Sequence, residues 1–123
     1  SEEFSVDGLN YRAGGKTFKM KSSKSKTCIQ LTGEGDMTKC ALWFKASGPG
    51  TLDISALSGS SSEDRAFAVC IAGTPVVAEG FAAPGAAIQD HTIDCSAAKE
   101  GDEITIYSKV KGVNIFNIKW TGK

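Results

Sequence analysis

The residues with the plainest chemical use are lysines set at strand spacing beside aromatic rings. From Ile104 onward the chain alternates, with Ile104, Ile106, Ser108 and Val110 on one parity and Thr105, Tyr107, Lys109 and Lys111 on the other. Around Trp43 the same rule sets Cys40, Leu42 and Phe44 against Lys39, Ala41, Trp43 and Lys45. No acidic residue follows Ile104. Ammonium groups interleaved with Tyr107 and Trp43 suit an anionic, hydroxyl-rich partner, the lysines meeting carboxylates and the rings stacking on sugar faces. An exposed Lys–carboxylate pair contributes only about 0.2–1 kcal/mol, so several must act together and binding weakens with salt. The competing reading of any single lysine is a solvated outer face or a blunted edge strand.

Other reactive groups point to little. His91 is the only histidine, and neither Gly-x-Ser-x-Gly nor His-Glu-x-x-His occurs near it. No acidic residue combines an apolar setting with a paired neighbour, as two carboxylates with separated pKa values would require. A lysine can act as base in a lyase that removes a proton beside a uronate carboxylate, but a chain this short leaves little room for the cleft. The expectation is therefore no enzyme and no cofactor. The metal content stays unknown, with room for a structural calcium ion at Glu2, Glu3, Asp7 or Asp94 despite the lack of EF-type spacing. Cys28, Cys40, Cys70 and Cys95 are too widely spaced for zinc or thioredoxin-like chemistry. They permit three disulfide pairings, and buried free thiols are an equal alternative. Arg65, after Glu63 and Asp64, reads as a tie between loop carbonyls or a carboxylate, and Trp120 as core.

The elements that must carry these groups are short strands. With 123 residues and a 41% hydrophobic fraction, the chain reads as one domain, residues 1–123. Charge balances at 14 of each sign, but most of the positive charges fall in two acid-free stretches. One, between Gly8 and Gly33, holds Arg12, Lys16, Lys19, Lys21, Lys24 and Lys26; the other is the C-terminal stretch. No apolar run is long enough to cross a bilayer, and the start at Ser1 without methionine suggests an excised fragment. Segments separated by Gly, Ser, Asn and Asp clusters predict strands at 4–6, 17–21, 27–32, 39–46, 50–57, 65–72, 76–79, 86–94, 103–110 and 113–121. Ser96 to Glu100 reads as a turn. The pattern predicts an all-β, two-sheet antiparallel β-sandwich of jelly-roll type, with a barrel as the lesser option. If first and last strands lie close, the two basic stretches would merge into one patch.

A set of ordered phrases adds a family. Gly8-Leu9-Asn10-Tyr11, Lys19-Met20-Lys21-Ser22-Ser23, Gly48-Pro49-Gly50-Thr51-Leu52, Ser60 to Arg65 and Gly112-Val113-Asn114-Ile115-Phe116-Asn117-Ile118 appear in that order. Together they resemble the pectin-binding carbohydrate-binding modules, family seventy-seven type, of secreted bacterial pectate lyases. The resemblance implies a noncatalytic jelly roll that binds homogalacturonan of low esterification through basic side chains and targets an appended enzyme, a pectate lyase, to plant cell walls outside the cell. The cysteines and the Ala-rich stretch Phe81 to Ala87 depart from that pattern. The expected ligand-binding residues are Lys39, Lys45, Lys109, Lys111, Tyr107 and Trp43, and the expected partner is an acidic plant polysaccharide, not nucleic acid or membrane. Two other readings stand beside it: binding of a β-glucan or hemicellulose through Trp43 and Tyr107, and a structural or docking β-sandwich of an extracellular enzyme assembly.

Overall fold

A computed structural model of the chain describes residues 4–5, 9–12, 18–23 and 26–122, with 4–5, 18–23, 26 and 27 described by backbone pairing alone. The strands are β1 (Phe4–Ser5), β2 (Asn10–Arg12), β3 (Phe18–Ser23), β4 (Lys26–Leu31), β5 (Ala41–Lys45), β6 (Gly50–Ser58), β7 (Arg65–Ile71), β8 (Thr74–Pro75), β9 (Phe81–Ala83), β10 (Gln89–Cys95), β11 (Glu103–Ser108) and β12 (Val113–Gly122). They form two six-stranded sheets. Sheet 1 runs β10-β6-β12-β4-β3 with β1 on β12, and sheet 2 runs β2-β5-β11-β7-β8 with β9 on β7. All pairings are antiparallel except the short parallel contact of β1 with β12.

Alternation explains the sandwich. Leu52, Ile54 and Ala56 of β6 face Leu42 and Phe44 of β5, Ile104 and Ile106 of β11, and Phe67 and Val69 of β7 across one continuous core. Side chains of opposite parity are turned outward, as an antiparallel sheet covered on one face requires. Trp120 packs at the margin of this core, edge-on to Phe44 with ring centroids 5.7 Å apart, and donates its indole N–H to Ser47 Oγ at 3.3 Å. Alternation over 17–21 sets Phe18 and Met20 inward against Lys19 and Lys21, but these side chains lie outside the described residues.

Several expectations change. Asn10–Arg12 and Phe81–Ala83 are strands that alternation over so few residues does not signal, so the Ala-rich stretch supplies an edge strand to β7. Residues 76–79 form no strand. The chain reverses earlier, through Ala72 (φ 50°) and Gly73 (φ 85°), a two-residue hairpin with both positions left-handed. Alanine at the first of these positions hides the turn. Ile115 and Ile118 both point into the core, because the register of β12 on β6 shifts between Ile115 and Asn117. Strict alternation sets Asn114, Phe116, Ile118 and Trp120 on one parity and Ile115, Asn117 and Lys119 on the other; the bulge breaks that pattern and turns Phe116 outward, where it packs with Cys28 and Leu57.

Candidate functional site

The outer face of sheet 2 collects most of the predicted side chains. Register aligns Asn10, Trp43, Thr105 and Cys70 in one row, Arg12, Ala41, Tyr107 and Ala68 in the next, and Lys45 with Glu103 at one end. Lys109, just past β11, lies at the other end, where its Nζ donates to the Ala78 carbonyl at 2.8 Å. Trp43, Lys45, Tyr107 and Lys109 thus share one face. Trp43 and Tyr107 are half-buried, and Lys45 is exposed. The Tyr107 hydroxyl has its pKa raised first by burial and then by the Cys70 thiol beside it.

Lys39 and Lys111 sit in turns. Lys39 closes a tight loop before β5, where Asp36 Oδ1 accepts from the Thr38 and Lys39 amides at 2.8 and 3.1 Å. Lys111 lies beyond the end of β11, its side chain 64% exposed and its Nζ 3.9 Å from Glu63 Oε2. The strand face predicted through Lys111 therefore ends at Ser108, and Val110 is an exposed turn residue.

The expectation that these lysines stand apart from carboxylates is corrected by the pairing. Glu103 is opposite Lys45, Glu63 is near Lys111, and Asp36 faces Lys39 across its turn. These partners lie at a distance in sequence or on a loop, so parity within one strand does not reveal them. The first and last strands do lie side by side, β1 and β4 both pairing with β12, but each basic stretch is itself divided between the sheets. β11 and β12 belong to opposite sheets, which carries Lys119 to sheet 1 while Lys109 stays with sheet 2. Lys16 and Lys24 fall outside the described residues.

Arg12 is the site residue that its own strand does not single out. Its Nη1 and Nη2 donate to Glu103 Oε1 and Oε2 at 2.6 and 2.7 Å, and Nη1 also reaches the Met37 carbonyl at 3.2 Å. Its Cζ lies 4.6 Å from the centroid of the Trp43 ring, so the guanidinium caps that ring on its way to Glu103. The hydrogen bonds from Arg12 hold the Glu103 carboxyl below its ordinary range, with Thr105 and Lys45 adding smaller effects. A fork of this kind fixes both partners in plane.

The outer face of sheet 1 has a different character. Asp53, Ser55, Asp90, Thr92 and Asn117 line a shallow polar groove there. Thr92 Oγ1 donates to Asp53 Oδ1 at 3.0 Å and Ser55 Oγ to Asp90 Oδ1 at 2.5 Å. His91 points the other way: its Nε2–H donates to the Ala82 carbonyl at 2.8 Å, and its ring packs edge-on against Phe67 and Phe81. That is a packed histidine on an edge strand.

Arg65 ties the Ser-rich loop together, with Nε to Glu63 Oε1 at 2.9 Å and Nη1 to the Gly112 carbonyl at 2.8 Å. Among the described residues no three metal-ligating side chains converge. Of the calcium candidates, Glu2, Glu3 and Asp7 lie outside those residues, and Asp94 accepts from the Ser96 amide at 3.0 Å and from the Ser96 hydroxyl. All four cysteines are buried free thiols.

No protein-family model matches the chain, and no curated protein does either. Solved structures do. The CBM36-1 domain of a multidomain xylanase from the hindgut metagenome of Trinervitermes trinervoides superposes with a TM-score of 0.70 at 16% identity, over 93% of this chain and 92% of that one. A CBM36 carbohydrate-binding module in complex with calcium and xylotriose gives 0.68 at 15% identity, over 91% and 94%. CBM35 from Paenibacillus barcinonensis gives 0.52 at 16% identity, over 94% and 98%. The fold is thus the jelly-roll sandwich that carbohydrate-binding modules use.

Proposed function

We propose that this chain is a noncatalytic carbohydrate-binding module that holds an acidic plant polysaccharide, homogalacturonan of low esterification, on the outer face of sheet 2. One observation carries the reading: Trp43, Lys45, Tyr107 and Lys109, drawn from two strands and the turn after one of them, share that single face. Two ammonium groups at opposite ends of β11, with aromatic surface between them, suit a polymer bearing a carboxylate on each sugar. Lys39 and Lys111 contribute at the margin, weakened by Asp36 and Glu63. In this reading the module is secreted and joined to a catalytic domain, a pectate lyase, which it keeps on the plant cell wall.

Affinity electrophoresis against low-methyl pectin, highly esterified pectin and xyloglucan tests it. Retention is expected on the low-methyl polymer, fading with salt because exposed charge pairs are screened. Lys45→Ala and Lys109→Ala are each expected to weaken retention by about 1.5- to 5-fold, the range an exposed lysine pair supplies. Equal retention on both pectins, or a fully retained double variant, overturns the lysine mechanism.

A second reading, binding of a neutral β-glucan or hemicellulose through Trp43 and Tyr107, is favoured by the Arg12–Glu103 fork beside Trp43. That fork leaves the middle of the face charge-balanced. Retention on xyloglucan that ignores salt would select it. Absence of retention on every glycan would select a structural or docking role.

A further inference from the structure

A second concave feature lies at the end of the sandwich, away from Lys109 and Lys111. There the β7–β8 hairpin and the turn between β10 and β11 border a half-open pocket of about 480 Å³. Its size is that of small-ligand sites rather than of a surface wrinkle. Ile71, Pro75 and Val76 give it aliphatic lining, while Thr74, Asp94, Lys99 and Asp102 bring polar groups.

Both walls are stiff. The hairpin is fixed by its two left-handed residues and by the Val76 amide bonding the Val69 carbonyl at 2.9 Å. Across the cavity the Ala98 amide bonds the Cys95 carbonyl at 3.1 Å, and the Gly101 amide bonds the Ala46 carbonyl at 2.9 Å. Asp102 Oδ2 accepts from the Lys99 amide at 2.9 Å, and its Oδ1 has no partner among the described residues. The Lys99 ammonium makes no ion pair among them. Little ordering remains for a ligand to impose, which favours affinity.

We infer that this cavity is a separate sugar pocket that takes a single neutral pyranose, such as the end of a glycan chain. Aliphatic lining meets the C–H face of the ring, Thr74 and Lys99 donate to its oxygens, and Asp102 accepts from its hydroxyls. Two carboxylates against one ammonium make the pocket disfavour a uronate, in contrast to the lysine-bearing face of sheet 2. The inference rests on the glycan-binding reading for its ligand class alone.

Residue-resolved NMR titration of the full chain with methyl β-xyloside, methyl β-galactoside and sodium galacturonate tests it. Saturable shifts are expected at amides 72–76 and 94–102 with at least one neutral glycoside, and weaker ones with galacturonate. Ala97→Trp, which fills the cavity from an exposed turn position, is expected to abolish those shifts while pectin retention persists. Lys99→Ala, whose backbone bond is untouched, is expected to weaken the neutral glycoside by up to about tenfold. The absence of saturable shifts at these amides in the wild-type chain overturns the pocket, as does binding unaffected by a folded Ala97→Trp. Preference for galacturonate there overturns its neutral specificity. Failure of the pectin reading leaves these shifts in place, and failure of the pocket leaves pectin retention in place.

Discussion

At the scale of single residues, the Arg12–Glu103 fork controls what the candidate face offers. It caps Trp43, holds Glu103 opposite Lys45 and ties β2 to β11 across β5. The two partners are 91 positions apart, so no local pattern in the chain announces them. Because Glu103 is held below its ordinary carboxyl pKa, the pair stabilises the fold above the unfolded-state pKa of Glu103. That contribution fades as pH falls through the lower folded-state value. Glu103→Gln is expected to cost about 1 kcal/mol at neutral pH and to flatten the acid limb of stability, measured by urea unfolding from pH 7 to pH 3. An unchanged acid limb would mean that the fork carries no linkage. Removing the cap with Arg12→Ala is expected to shift Trp43 emission to longer wavelength as water reaches the ring.

The scale of the strand brings a different rule, because β12 serves two partners along one edge. It pairs with β4 over Val113–Ile115 and with β1 at Ile118–Lys119, and the bulge falls between them. One added residue lets both halves turn an isoleucine inward, at the cost of sending Phe116 out to a small cluster with Cys28, Leu57 and Ile88. Phe116→Ala is expected to destabilise the protein by about 3 kcal/mol without disturbing the main core, as read from denaturant midpoints. Where strands meet closely, glycine is required by contact. A Cβ on Gly50 would lie 2.4 Å from the Trp120 ring, so Gly50→Ala is expected to cost about 1–3 kcal/mol and to alter Trp120 fluorescence. Gly80 couples stability to the candidate site. It sits at φ +82°, and its Cβ would meet the Phe67 carbonyl at 2.6 Å and Lys109 Cδ at 2.7 Å. Gly80→Ala is therefore expected to lower the melting temperature and displace Lys109 together, weakening pectin retention even with the lysine intact.

Across the whole molecule, the two sheets keep the chemistry of the chain apart. Sheet 2 carries the aromatic and lysine face, whereas sheet 1 carries Asp53 and Asp90 on its own outer side. The thiols are divided as well: Cys40 and Cys95 lie in the main core, Cys28 in the outer cluster of sheet 1, and Cys70 on the outer row of sheet 2. Burial pushes the Cys95 thiol up to about 11 and raises that of Cys70, so both are protonated at neutral pH. Native protein is expected to react negligibly with a thiol-specific disulfide reagent and to release four equivalents once unfolded. Fast native labelling would contradict this placement.

Alternation was enough for the all-β class, the inward rows of β5 and β11, and the common parity of Trp43 with Lys45 and of Tyr107 with Lys109. Those properties follow from the period of one strand, and the period is written in the chain. Which strand lies beside which emerges from the folded core, and with it the Arg12 cap, the carboxylates opposite the lysines, the broken parity in β12 and the pocket between two turns. Each of these depends on hydrogen-bonded neighbours tens of residues away, and pairing at that range is fixed by the closure of the core rather than by any short stretch of sequence.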